Sequence, residues 1–90
     1  MASGKSLQVE VVSHEGRLWH GAALSVQAPT VDGSLGVLPG RQPLLAQMGE
    51  GTVTVTCASE VMSFEVIGGF ASVDSDFVTV VADHATVTEQ

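Results

Sequence analysis

Hydrophobic and polar residues alternate one for one along most of the chain. Leu7, Val9 and Val11 stand against Gln8 and Glu10, the period of two that gives a strand one dry face and one wet face. Leu24, Val26 and Ala28 repeat it against Ser25 and Gln27, and Val53, Val55 and Cys57 do so against Thr52, Thr54 and Thr56. Met62, Phe64 and Val66 then oppose Ser63 and Glu65. From Phe77 to Val81 both faces are apolar, which predicts a central strand. Turn-forming residues separate these runs at His14-Glu15-Gly16, Asp32-Gly33, Pro39-Gly40, Gly49-Glu50-Gly51, Ser59-Glu60, Gly68-Gly69 and Asp74-Ser75-Asp76. Short strands at about 8–12-residue spacing predict an all-β sandwich or barrel. Only Pro43 to Met48 has the makings of a helical turn, too short to bury a face of its own. Residues 1–6 and 84–90 lack periodicity, so the domain is expected over 7–83 with flexible tails at either side.

Composition strengthens this picture. Fifteen valines and seven threonines put stiff β-branched side chains where a helical protein would carry leucine and alanine. Ninety residues suffice for one core and not for two. Cys57 is the only cysteine, so no internal disulfide can form. No run approaches the roughly 18–20 apolar residues that cross a bilayer, and the start lacks a secretory pattern, so an intracellular protein without direct membrane insertion is expected. Three basic residues, Lys5, Arg17 and Arg41, face ten acidic ones, a net charge of −7. Nucleic acid, which draws its affinity from clustered Lys and Arg, is excluded as a partner. Direct docking on anionic lipid fails for the same reason.

The residues that could carry chemistry have plainer readings. His14, His20 and His84 lack the close paired spacing of most metal sites, and no metal is expected. Alternation places Cys57 beside Val53 and Val55, where a thiol behaves as a small hydrophobe. Asp74 and Asp76 flank a serine, as in an exposed turn, whereas general acid–base work needs burial. Gly33, Gly36 and Gly40 match neither dinucleotide nor P-loop spacing. Gly68 and Gly69 imply a bulge or a close backbone approach, and Trp19 a core or rim plug. No enzyme, cofactor or nucleotide site emerges. One stretch stands apart: residues 28–46 hold three prolines and four leucines without clean alternation, unlike a polar connector. They form either a rigid surface with something to hold or a packed crossover between sheets.

In that stretch "LGVLPGRQPLL", residues 35–45, resembles the "LGILPGHxPLL" of the epsilon subunit of bacterial and chloroplast-type ATP synthases. "GGFASVDSDFVTVVAD", residues 68–83, is similar to the family's "GGFxxVxxxxVTVLAD", and "VEVVSHEGRLWHG", residues 9–21, to its first strand and turn. The resemblance implies a ten-stranded β-sandwich of two five-stranded sheets without substantial helix. It implies a non-catalytic rotor subunit of the central stalk in a proton-translocating ATP synthase, linking the gamma subunit to the c-ring and coupling rotation to ATP synthesis. The implied contact residues are Asp32, Gly33, Ser34, Leu35 and Gly36 on the ring-facing rim, with Pro39, Gly40, Arg41, Gln42 and Pro43 beside them. The implied location is the cytoplasmic face of a bacterial plasma membrane or the stromal face of a thylakoid. Two departures stand out. Arg41 replaces the usual histidine and Ser34 a frequent carboxylate, and a permanently charged guanidinium recognises different partners from an imidazole. The inhibitory carboxy-terminal helices of most members, which bind ATP in some, have no counterpart before Gln90, so neither that brake nor nucleotide is expected.

The rival readings are a stand-alone intracellular β-sandwich binding module and a biotinyl- or lipoyl-type carrier. A carrier needs a lysine at a hairpin tip, and the sole lysine is Lys5 near the amino terminus.

Overall fold

Eight strands account for the chain in a computed structural model, which describes residues 6–40 and 42–88. They are β1 (Leu7–Ser13), β2 (Gly16–Ala23), β3 (Ser25–Thr30), β4 (Gly33–Val37), β5 (Leu44–Gln47), β6 (Glu50–Thr56), β7 (Val61–Asp74) and β8 (Phe77–Thr88). None of the described residues is helical. The last two strands are long because each serves both layers of a sandwich. The first half of β7 pairs with β6, from Glu50↔Ile67 to Thr56↔Val61, and its second half with β5, from Leu44↔Val73 to Gln47↔Phe70. The start of β8 runs parallel to β1, while its end pairs only with the first half of β7. One layer therefore reads β2-β1-β8-β7-β5 and the other β8-β7-β6-β3-β4. The all-β sandwich is as expected; its strands number eight in one continuous sheet folded into two layers, and the expected ten is approached only by counting each half of β7 and β8 separately.

The layers meet at a corner built from glycine. Pairing breaks off after Ile67↔His84 and resumes at Gly69↔Ala82 in the same register, so the corner is a close backbone approach and not a bulge. Gly68 and Gly69 have φ of +71° and +112°, conformations that side chains disfavour. Opposite them β5 passes into β6 without reversing. The Met48 N–H donates to the Gly69 carbonyl at 2.8 Å, and the Gly68 N–H to the Gly49 carbonyl at 3.1 Å. Gly49, Glu50 and Gly51 are thus a crossover and the start of β6, where the composition predicts a turn. Pro43 to Met48 departs from expectation in the same way: Leu44–Gln47 form β5 because β7 offers an unpaired edge, and pairing overrides their helical propensity.

Between the layers lie Leu7, Val9, Val11, Val26, Val53, Val55, Phe64, Val66, Val73, Val78 and Val80, each at most 2% exposed. Most of these are dry positions of the alternation, although Leu24, expected among them, is 47% exposed just before β3. Each buried one contributes about 1.5–3 kcal/mol. The expected tail over 84–90 is corrected in part. His84 to Thr88 continue β8 as an edge strand, and Glu89 and Gln90 lie outside the described residues. That segment read as aperiodic because an edge strand buries little: Ala85 is only half-buried and Val87 is 42% exposed.

Candidate functional site

The stretch from 28 to 46 divides into two surfaces at opposite ends of β4. At one end the β3–β4 turn carries Val31 and Asp32 beyond the bridge between Thr30 and Met48. It is held against β5 by the Val31 N–H, which donates to the Gln47 carbonyl at 3.1 Å. Asp32, Gly33, Ser34 and Gly36 are exposed and Leu35 is half-buried. A groove of about 400 Å³ runs between this hairpin and β5, lined by Asp32, Ser34 and Leu35 on one wall and Leu45 and Gln47 on the other. A Cβ placed on Gly33 or Gly36 would meet nothing within 4 Å, so both glycines offer bare backbone to an approaching surface.

At the other end of β4 the chain loops back to β5. Leu38, Gly40, Gln42 and Pro43 are exposed and Pro39 is half-buried, while Arg41 lies outside the described residues. The Gly40 N–H donates to the Asp76 carboxylate at 2.8 Å, so this loop sits against the β7–β8 turn. Four residue-to-residue steps along β4 separate Gly33 from Val37, at about 3.3 Å each. The expected contact residues are therefore two neighbouring patches, not one.

A third surface escaped the alternation. On the outer side of the first layer Phe70 pairs with Val81, and Val81 with Val12; Leu45 lies in the next row beside Ser72 and Thr79, and Phe77 in the row beyond. Phe77 is 61% exposed, Phe70 51% and Leu45 69%. The outer side of the second layer presents Glu65, Thr52, Thr54, Thr86 and Gln27, with Val61 and Ile67 exposed among them. The signal was present in the sequence as apolar residues on both faces of Phe77–Val81. That strand is indeed central, between β1 and β7, but its second apolar face is open to solvent.

The titratable side chains are disposed as surface and seam groups. His14 and His84, seventy positions apart, stand edge to face with centroids 5.2 Å apart, and the His14 Nδ1–H donates to the Asp83 carbonyl at 2.7 Å. This pins the β1–β2 turn to the edge of the second layer. Arg17 and Glu10 pair at 2.9 Å on the surface, where such a bond is worth little. Cys57 is half-buried at the end of β6, and burial followed by the charge of Glu60 pushes its thiol pKa up. Among the described residues no three His, Cys, Asp or Glu side chains could hold one metal ion.

The fold is that of a small β-sandwich domain, whose open surfaces include a glycine-bearing rim, a proline-bearing loop and an outer face that exposes two phenylalanine rings. A sequence profile of the β-sandwich domain of the ATP synthase delta/epsilon chain matches residues 6–88. Over 80 residues the chain is 46% identical to the ATP synthase epsilon chain of Micrococcus luteus, covering 88% of each protein. It is 48% identical to that of Corynebacterium jeikeium over 82 residues, covering 89% of this chain and 67% of the relative. A chain in the Euglena gracilis mitochondrial ATP synthase (OSCP/F1/c-ring) shares the fold with a TM-score of 0.85 at 19% identity. A chain in the Tetrahymena thermophila central stalk and c-ring assembly does so with a TM-score of 0.77 at 16% identity. The present chain spans 58% and 65% of those two chains. It belongs to the delta/epsilon family of ATP synthase chains, as the β-sandwich domain of an epsilon-type, non-catalytic subunit.

Proposed function

We propose that the chain works as a rotor part in the central stalk of a proton-translocating ATP synthase, joining a gamma subunit to the c-ring so that rotation is coupled to ATP synthesis. The rim from Asp32 to Gly36 faces the ring. The β4–β5 loop, with Pro39, Gly40, Arg41, Gln42 and Pro43, extends the contact, and the apolar outer face around Phe70, Phe77 and Val81 lies against gamma. The observation that carries this reading is the difference between the two outer faces in a family member: one exposes Phe70, Phe77, Val81 and Leu45, the other exposes Val61 and Ile67 among threonines and glutamates and no phenylalanine ring among the described residues. Apolar residues at the centre of an interface supply most of its energy, and a polar rim supplies orientation. A close-packed core makes the block stiff enough to carry torque. The location that follows is peripheral, on the cytoplasmic face of a bacterial plasma membrane by way of the ring; the relatives from Micrococcus and Corynebacterium support it.

Recovery of the c-ring with purified complexes carrying Gly36→Val tests the rim. Gly36 has open space around it and no left-handed φ, so valine leaves the fold intact while obstructing close approach. Ring recovery is expected to fall several-fold, and undiminished recovery would reject the rim assignment. Phe70→Glu addresses the other face: gamma binding should weaken at least about tenfold, as for a central anchor.

A further inference from the structure

The β7–β8 turn holds a residue that the turn itself does not call for. Asp74 pairs with Phe77, which leaves Ser75 and Asp76 as a two-residue connection with φ of +52° and +68°. Two central residues at positive φ define a type I′ turn, whose second position favours glycine. An aspartate there takes a left-handed conformation that glycine adopts freely. Asp76 makes two contacts outside the turn. Its carbonyl accepts the Gln8 N–H at 2.8 Å, fastening the start of β1, and its carboxylate accepts the Gly40 N–H at 2.8 Å. The first any residue would provide. The second only a side-chain acceptor can make.

The loop that receives this bond contains two prolines. Pro39 and Pro43 carry no N–H, so the loop between β4 and β5 has two fewer backbone donors with which to anchor itself. Gly40 is also left-handed, with φ of +87°, a backbone that many alternative conformations compete with once it is unrestrained. A hydrogen bond to a charged acceptor is among the stronger single tethers available.

We propose that Asp76 is a positioning residue for docking: its carboxylate holds Gly40, in the β4–β5 loop, where a partner surface meets it. This rests on the reading of that loop as a contact surface, and it adds a residue that tethers the loop at Gly40. Preorganisation of this kind raises affinity by removing the ordering loss from the binding step.

Asp76→Gly and Asp76→Asn separate the roles. Asp76→Gly relieves the left-handed strain and removes the acceptor, whereas Asp76→Asn tolerates the same φ and keeps an acceptor oxygen. By amide exchange of the free chain, Asp76→Gly should speed exchange at Gly40 about tenfold and leave Gln8 unchanged. Its melting temperature should stay level or rise, while recovery of the gamma and c-ring assembly falls several-fold. Asp76→Asn should restore both Gly40 protection and recovery. Unchanged exchange at Gly40 in Asp76→Gly overturns the tether. Faster exchange with full recovery overturns the docking role of the tether. If Gly36→Val also left recovery intact, the wider contact reading would fail with it.

Discussion

A methyl group on Gly69 would collide with the Val81 carbonyl oxygen and stand 2.8 Å from the Ala82 Cα, at a φ of +112°. The partners are backbone atoms of a paired strand, which cannot rotate away. Gly69→Ala should therefore cost about 3 kcal/mol or more in urea unfolding, the range of severe single substitutions. Gly36→Ala, with nothing within 4 Å of the new carbon, should stay within about 0.5 kcal/mol. Equal losses at the two sites would contradict the corner geometry. Cys57 yields a pH prediction at the same scale. Its thiol is shifted up by burial and then by Glu60, so the folded state holds its proton to higher pH than the unfolded chain does. The stability it contributes is whole below the unfolded thiol's range and is lost as pH climbs through the folded value. Alkaline unfolding curves should flatten in Cys57→Ala, and iodoacetamide should label the native thiol more slowly than the urea-unfolded one.

Strands were legible in the sequence to the extent that each had one wet side. Val9, Val11, Val53, Val55, Phe64 and Val66 fall inside as their spacing requires, because a one-residue slip would turn the whole set outward. What periodicity could not show was the passage of β7 and β8 from layer to layer. Alternation is local, and Gly68 and Gly69 read alike as bulge or corner until the partner strands are known. The end of β8 was hidden for a related reason: with one neighbour and little cover, His84 to Thr88 need no apolar alternation to pair. Of the site, the rim and loop were visible as proline and glycine among leucines, but their separation by the length of β4 was not. The role of Asp76 could not be seen at all, since it depends on residues 36 positions apart. The element that most needs checking is the end of β8. Amide exchange at Thr86, which pairs with Glu65, should be slower than at the β6–β7 turn around Ser59. Thr88→Pro, which removes an N–H facing β7, should weaken that protection while leaving the first half of β8 protected, because Gly69 to Asp74 still pair with it. Uniformly fast exchange from His84 onward would return that segment to the tail first expected.

At the scale of the whole molecule, charge and apolar surface are arranged to complement each other. The chain carries −7, and the first layer's outer face is bordered by Asp74 and Asp76 at one end, while Glu10 at its side is paired with Arg17. A neighbour fitting that face must be apolar at the centre and basic at that end, since like charges at a rim oppose binding. Electrostatic attraction acts at a distance and chiefly on the encounter, whereas the apolar centre acts only after contact. Salt should therefore alter one rate and spare the other. Between about 0.05 M and about 0.5 M salt the screening length shrinks well below the width of the face. The association rate with an isolated gamma subunit should fall several-fold over that interval, and the dissociation rate should hardly move. Phe70→Glu should reverse the pattern, speeding dissociation at every salt concentration because it removes the buried centre. Stopped-flow measurement of both rates decides the matter: an association rate indifferent to salt would mean that the acidic border faces solvent and that the partner meets this protein elsewhere.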